Sequence, residues 1–184
     1  MKISVIGCGY LGAVHAASMA ELGHDVVGID VDPHRIDSLQ KSVAPFHEPG
    51  FDALLLKNSP RLTFTTEMSA AADATVHFVA VGTPQSADGS ADMSYVNSAI
   101  EGLLPYLSDG DLVVGKSTVP VGTAERLSEE IKPTGAVLMW NPEFLREGFA
   151  VEDTLSPDRL VYGVPAGDDG DSATAILDEV YSEI

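Results

Sequence analysis

Residues 2–12 read KISVIGCGYLG, a short apolar run followed at once by three glycines spaced as G-x-G-x-x-G: Gly7, Gly9 and Gly12. The run KISVIG predicts a β-strand, and the stretch YLGAVHAASMAEL after it has helical spacing and ends at Gly23. On its own the glycine pattern is weak, because glycines occur in many turns. Between a strand and a helix, it predicts a turn that holds a phosphate group.

The three glycines have different predicted roles in such a turn. Gly7 permits the tight turn, Gly9 lets the backbone approach a pyrophosphate, and Gly12 allows close packing of helix on strand. Tyr10 and Leu11 complete the first turn of the helix, whose free N–H groups and dipole favour anions. We therefore predict that residues 7–12 bind the pyrophosphate of a dinucleotide.

Asp30 ends the next predicted strand, DVVGID, 18 residues after Gly12. A carboxylate at this position can accept hydrogen bonds from the adenosine ribose and would repel a 2′-phosphate, which favours NAD over NADP. Arg35 could accommodate that phosphate, and we interpret it as a flank of the adenosine pocket. FAD, which shares the glycine fingerprint, and a structural turn with no ligand remain alternatives.

Strands and helices alternate along the whole chain, and several predicted strands are continuous apolar runs. Such runs indicate strands that are buried on both faces, hence a doubly wound, mostly parallel α/β sheet in a single domain over residues 1–184. The stretch PEFLREGFAVEDTLSPD (142–158) is expected to be a loop. The stretch RLVYGV (159–164) is expected to be a strand, and the last helix to begin near Ser172.

The chain is strongly acidic, with 28 Asp and Glu against 10 Lys and Arg and a formal net charge of −18. Nucleic acid and an anionic membrane are therefore improbable partners, since both are bound by clustered basic residues. No apolar run approaches the roughly 18 residues of a membrane-spanning helix. The single cysteine fits a reducing compartment, so we expect a cytoplasmic protein, and we predict no metal site. The acidity is either a solvated surface or an adaptation to high salt.

Several longer motifs resemble one enzyme family. They are GCGYLGAVHAASMAELGHDVVGIDVD, EPG, DGSADMSYV, KSTVPVGT and NPEFLREGFAVEDTLSPDRLVYG. Together they are similar, from Met1 to about Gly163, to the nucleotide-sugar 6-dehydrogenases, most of all to those that act on UDP-glucose. The resemblance implies a UDP-sugar substrate whose C6 alcohol is oxidised to a carboxylate by two NAD⁺ in succession. It also implies a cysteine thiolate that captures the aldehyde, a thioester that is hydrolysed, and a homodimeric full-length enzyme.

The resemblance also implies roles for two threonines, each of which follows a predicted strand. Thr83 would line the cofactor groove. Thr118, in KSTVP, would position the catalytic water beside the nicotinamide and so contact the cofactor. From the residues alone, a hydroxyl that caps the backbone after a strand is an equal alternative for Thr118.

The motif NPEFLREG carries the remaining implied site residues. Glu143 matches the glutamate that activates water for thioester hydrolysis, and Glu147 matches the one near the nicotinamide and the sugar. Phe144 and Leu145 would contribute to the sugar-nucleotide pocket. A carboxylate in a covered pocket can act as a general base, although i, i+4 spacing alone would favour two charges on a helix surface.

Other signature residues are interpreted as structural. Lys116 matches a family lysine, and Asp153, Asp158 and Arg159 would fix the loop. Cys8, between the glycines, is interpreted as a packing residue beneath the phosphates.

The family's nucleophilic cysteine, together with a lysine, an asparagine and an aspartate, has no match among these residues. We therefore expect a chain cut before a central helix and a C-terminal sugar-nucleotide domain, and inactive alone. A GDP-mannose or UDP-N-acetylmannosamine dehydrogenase domain and a free-standing NAD-binding or sensing module are the alternatives.

Overall fold

Six short apolar runs form the strands of one sheet in the computed structural model, which describes all 184 residues. They are β1 (Lys2–Ile6), β2 (Asp25–Ile29), β3 (Leu62–Thr65), β4 (Val76–Val79), β5 (Leu112–Gly115) and β6 (Val137–Trp140). The order across the sheet is β3-β2-β1-β4-β5-β6, and every neighbouring pair is parallel. Parallel neighbours need crossover connections, which the helices provide on both faces. The predicted doubly wound α/β class is confirmed.

Seven α-helices connect or flank the strands. They are α1 (Tyr10–Glu21), α2 (Pro33–Gln40), α3 (Phe51–Asn58), α4 (Ser94–Leu103), α5 (Thr123–Ile131), α6 (Ala150–Leu155) and α7 (Asp168–Val180). Helix α2 begins as its sequence predicts, with Pro33 in the first turn and the Asp32 carboxylate accepting the His34 N–H at 2.9 Å. None of the helices is long and apolar enough to cross a membrane.

Helix α1 is buried over the nine consecutive residues 12–20. Its alanines, among them Ala13, Ala16 and Ala17, are fully buried and let the helix lie close to the sheet. This close packing holds the first turn of α1 at the carboxyl end of β1. That end lies beside β4, where the chain order reverses and where open α/β sheets bind their ligands.

Three predictions for the last third of the chain are wrong. The segment RLVYGV is not a strand, because only Gly163 pairs with Trp140 at the edge of β6, while Leu160, Val161 and Val164 are exposed. The stretch 142–158 is not all loop, since it contains α6. Helix α7 begins at Asp168, four residues before the expected start. Its first turn is acidic, which is favourable at the positive end of the helix dipole. That turn has no apolar residues at helical spacing, so the sequence pattern predicted too late a start.

Candidate functional site

The glycine turn shows which glycines the fold itself requires. Gly7 has a positive φ of +90°, and a Cβ added there would lie 2.8 Å from Val81 Cγ1. A Cβ on Gly12 would lie 1.8 Å from the carbonyl oxygen of Gly7. A Cβ on Gly9, in contrast, would meet nothing within 4 Å. The fold has no room for a side chain at Gly7 or Gly12. At Gly9 there is room, and the lack of a side chain leaves the backbone of the turn accessible to a ligand.

The first turn of α1 presents backbone donors beside this opening. The first intrahelical hydrogen bond runs from the Ala13 N–H to the Gly9 carbonyl at 3.0 Å. The N–H groups of Tyr10, Leu11 and Gly12 therefore have no intrahelical partner. An open approach and free donors at a helix N-terminus fit the pyrophosphate of a dinucleotide.

Asp30 is buried next to the turn and already accepts several hydrogen bonds. Its carboxylate takes the N–H of Cys8 at 2.7 Å and the N–H of Asp32 at 2.9 Å. The Arg35 Nη1 lies 2.9 Å from each carboxylate oxygen. A ribose that binds Asp30 must share these oxygens with Arg35, which flanks the carboxylate.

Cys8 is fully buried under the turn. Its Sγ would lie 2.9 Å from a Cβ placed on Gly28 of the neighbouring strand β2, so it fills the space between the strands. Burial, and next the charge of Asp30, raises the pKa of this thiol well above its usual range. Cys8 is therefore a packing residue and does not form a reactive thiolate.

The loops after β4 and β5 meet at the carboxyl edge of the sheet, as the parallel arrangement predicts. The Thr83 hydroxyl donates to the Thr118 carbonyl at 2.9 Å, and the Ser117 hydroxyl donates to the Val81 carbonyl at 2.6 Å. The Thr118 side chain is exposed to solvent. The two threonines are thus neighbours in adjacent loops at this edge of the sheet.

A cavity of about 380 Å³ lies at the same edge of the sheet. Leu11, from the first turn of α1, lines it together with Glu143, Phe144 and Leu145. Glu147 is exposed outside this cavity. Of the four site residues that the resemblance implies in NPEFLREG, the structure therefore places three in the cavity wall beside the start of α1. Glu147, Thr83 and Thr118 lie outside that wall.

Lys116 and Glu143 form a partly buried pair in this wall. The Lys116 Nζ lies 4.0 Å from Glu143 Oε2, an oxygen that is buried and has no hydrogen-bond partner. Burial raises the pKa of Glu143 to about 7, and the Lys116 charge partly opposes the rise. Burial lowers the pKa of Lys116 to about 8, partly opposed by Glu143. A group that titrates near neutrality can take up or release a proton there.

Sequence reasoning missed the residues that hold this pair. The Lys116 Nζ donates to the Asn141 side-chain Oδ1 at 3.1 Å, and the Tyr181 hydroxyl donates to the same oxygen at 2.8 Å. The Asn141 Nδ2 in turn donates to the Val161 carbonyl at 3.0 Å. Asn141 carried one usable signal, since it is the first polar residue after β6. Lys116, which we interpreted as structural, has its ammonium in the cavity wall.

The loop that carries Glu143 is fastened by its own charged residues. The Arg146 Nε and backbone N–H both donate to Asp153 Oδ2, at 3.0 and 2.9 Å. The Arg159 guanidinium stacks 4.7 Å from the centre of the Phe144 ring. These contacts support the loop-fixing roles expected for Asp153 and Arg159.

Several known proteins are similar to this chain in sequence and in fold. UDP-glucose 6-dehydrogenase of Rhizobium meliloti is 47% identical over 189 residues, which cover 98% of this chain and 43% of that protein. The structure of a UDP-glucose dehydrogenase from the hyperthermophilic archaeon Pyrobaculum islandicum superposes with a TM-score of 0.90 at 41% identity, covering 98% of this chain and 44% of that one. GDP-mannose dehydrogenase from Pseudomonas aeruginosa, solved as a ternary complex, gives 0.91 at 32% identity, with 100% and 44% covered.

The chain spans less than half the length of these relatives. All of residues 1–184 match one family description, the NAD-binding domain of the UDP-glucose/GDP-mannose dehydrogenase family. The chain belongs to this family and is its NAD-binding domain.

Proposed function

We propose that this chain is the NAD-binding domain of a UDP-glucose 6-dehydrogenase, with the pyrophosphate on the first turn of α1 and the adenosine ribose on Asp30. When bound, NAD supplies a nicotinamide ring that accepts a hydride. The observation that carries the proposal is the junction at Leu11. This residue lies within the glycine motif, two residues after the open position Gly9, and also lines the cavity that contains Glu143 and Lys116.

Within that cavity we assign Glu143 as the general base that activates water for thioester hydrolysis. Its pKa of about 7 allows it to accept a proton from water at neutral pH and to release it again. Thr118 would help to position that water, and Glu147 would approach from outside the cavity wall. Phe144 and Leu145 would contact the nucleotide sugar.

The thiolate required by this chemistry would come from beyond residues 1–184. Cys8 is the only cysteine here, and it is buried beneath the turn. The relatives are more than twice as long as this chain, which leaves room for a second domain that completes the pocket. We expect residues 1–184 alone to bind NAD⁺ and to produce no sustained NADH from UDP-glucose. Steady turnover would contradict this part of the proposal.

The sugar is assigned to UDP-glucose because several curated relatives of that name are 39 to 47% identical to the chain. GDP-mannose is the second candidate, since a dehydrogenase for that sugar superposes equally well at 32% identity.

Two glycine variants test the cofactor site. Gly9→Ala should fold as the wild type does, because its methyl group meets nothing within 4 Å, yet it should bind NAD⁺ more weakly, since the methyl group narrows the approach to the turn. Gly12→Ala is the matched control for overpacking and should lower the free energy of unfolding by about 1–3 kcal/mol. Thermal unfolding and calorimetric titration with NAD⁺ measure both effects. Wild-type affinity in Gly9→Ala would contradict the assignment.

A further inference from the structure

Glu48, in the loop between α2 and α3, is a buried carboxylate that sequence reasoning did not assign. It accepts a hydrogen bond from the Tyr10 hydroxyl, from the Gly148 N–H at 3.1 Å and from the Val151 N–H at 3.3 Å. No lysine or arginine pairs with it. A buried carboxyl group without a cation partner is held only by such donors, so all three contacts matter to its placement.

The three donors come from two different parts of the proposed site. Tyr10 is the first residue of α1, in the turn assigned to the pyrophosphate. Gly148 ends the loop that carries Glu143 and Glu147, and Val151 lies in the first turn of α6. The Gly148 N–H also lies 3.0 Å from the Tyr10 hydroxyl, so the contacts form one closed cluster.

Glu48 does not line the cavity itself, so it acts on the site only through other residues. The loop that carries Glu143, residues 142–149, is held at both ends. Asn141 fixes its start through Lys116 and Tyr181, and the Glu48 carboxylate fixes its end at Gly148. A displacement of Glu48 must therefore move the Gly148 end of the loop while the Asn141 end stays in place.

Tyr10 is a stiff connection between the turn and this cluster. Its ring packs against Phe46, with centroids 4.9 Å apart, and Phe46 stacks on Phe51 at 5.2 Å. With the ring packed against Phe46 and the hydroxyl hydrogen-bonded to Glu48, the Tyr10 side chain links the first turn of α1 to the cluster. That turn carries the N–H groups that would face the phosphate in the proposed function.

We propose that Tyr10 and Glu48 are positioning residues that couple occupancy of the cofactor turn to the placement of loop 142–149. The coupling rests on the proposed function, because it links the assigned cofactor site to the assigned sugar-nucleotide loop. NAD binding draws the first turn of α1 into one position and thereby orders the cluster at Gly148. By linkage, a ligand that orders the loop strengthens NAD binding by the same factor.

The test is amide hydrogen exchange by NMR on the ¹⁵N-labelled chain, with and without saturating NAD⁺. In the wild type, NAD⁺ should slow exchange at Gly148 and Val151 by roughly fivefold or more, the lower end of typical coupling. Tyr10→Phe keeps the ring packing and the backbone N–H groups and removes only the hydroxyl, so at saturating NAD⁺ it should lose this slowing. Tyr95→Phe, which alters an exposed tyrosine on α4, is the matched control and should behave as the wild type.

Glu48→Gln provides a second variant, in case Tyr10→Phe fails to fold. A glutamine amide accepts at one oxygen only, so at least one of the three donors loses its partner and the NAD⁺-dependent slowing should fall in the same way. If NAD⁺ shifts the amides of residues 9–12 but leaves exchange at Gly148 and Val151 unchanged, the coupling is refuted and the cofactor site stands. Slowing that persists in both variants also refutes it. If NAD⁺ shifts no amide of the turn, the cofactor site fails as well.

Discussion

Replacement of Lys116 by methionine should raise the pKa of Glu143 substantially. In the wild type, burial already raises that pKa to about 7, and the Lys116 charge opposes the rise. Methionine matches the length of lysine but has no charge. The carboxylate then loses the ammonium 4.0 Å away while it stays buried, and its protonated form becomes more favourable.

The size of the effect follows from the separation of the two groups. Two unit charges 4.0 Å apart interact by about 4 kcal/mol at the effective dielectric constant of a protein site and by about 1 kcal/mol in bulk water. At about 1.4 kcal/mol for each pKa unit, loss of the ammonium should raise the pKa of Glu143 by about 1 to 3. Because the Glu143 side chain is 23% exposed, the lower half of that range is expected.

The assay is a pH titration of the ¹³C-labelled glutamate carboxyl signals by NMR, with the Glu143 signal assigned by its loss in Glu143→Gln. Lys41→Met serves as the control, because Lys41 is exposed and pairs only with Asp37. The control should leave the Glu143 titration unchanged. A wild-type Glu143 that titrates near the ordinary value of about 4.3, or an unchanged or lower pKa in Lys116→Met, would refute the reasoning.

Three other results are expected. Asp30→Ala should weaken NAD⁺ binding by about 1–3 kcal/mol in calorimetry, since ribose hydroxyls lose their buried acceptor; unchanged affinity would remove Asp30 from the site. Burial, and then the Lys116 charge, lowers the pKa of His15 well below 6.5 in the folded chain. As the pH falls, the His15 imidazole therefore becomes protonated in the unfolded chain while it stays neutral in the folded chain. Below about pH 6.5 the free energy of unfolding of the wild type should therefore fall, relative to His15→Leu, by up to about 1.4 kcal/mol per pH unit; parallel pH profiles would contradict this. Cys8 should react with a thiol reagent only after denaturation, and rapid labelling of the native chain would contradict its burial.

Local pattern was enough to predict the glycine turn between β1 and α1, because its determinants lie within a few residues of one another. A glycine at position 12 is required by the carbonyl oxygen of Gly7, only five residues away. The alternation of apolar runs and helical spacing likewise predicted the parallel sheet.

Contacts between distant residues could not be predicted in the same way. Glu48 receives donors from Tyr10, Gly148 and Val151, which lie up to 103 residues away, and nothing in the stretch APFHEPG shows that its carboxylate is buried. The apolar segment RLVYGV resembles a strand by composition. In the structure it extends past the edge of β6 and pairs only at Gly163, since β-structure depends on the neighbour as much as on the sequence.

A calorimetric titration of NAD⁺ into the 184-residue chain measures directly whether the glycine turn holds the dinucleotide. Parallel titrations use wild type and Gly9→Ala at the same pH and salt concentration. We expect saturable binding of one NAD⁺ per chain in the wild type, and weaker binding in Gly9→Ala at an unchanged Tm. Heats that never saturate at millimolar NAD⁺, or equal affinities in the two proteins, would contradict the assignment of this turn as the cofactor site.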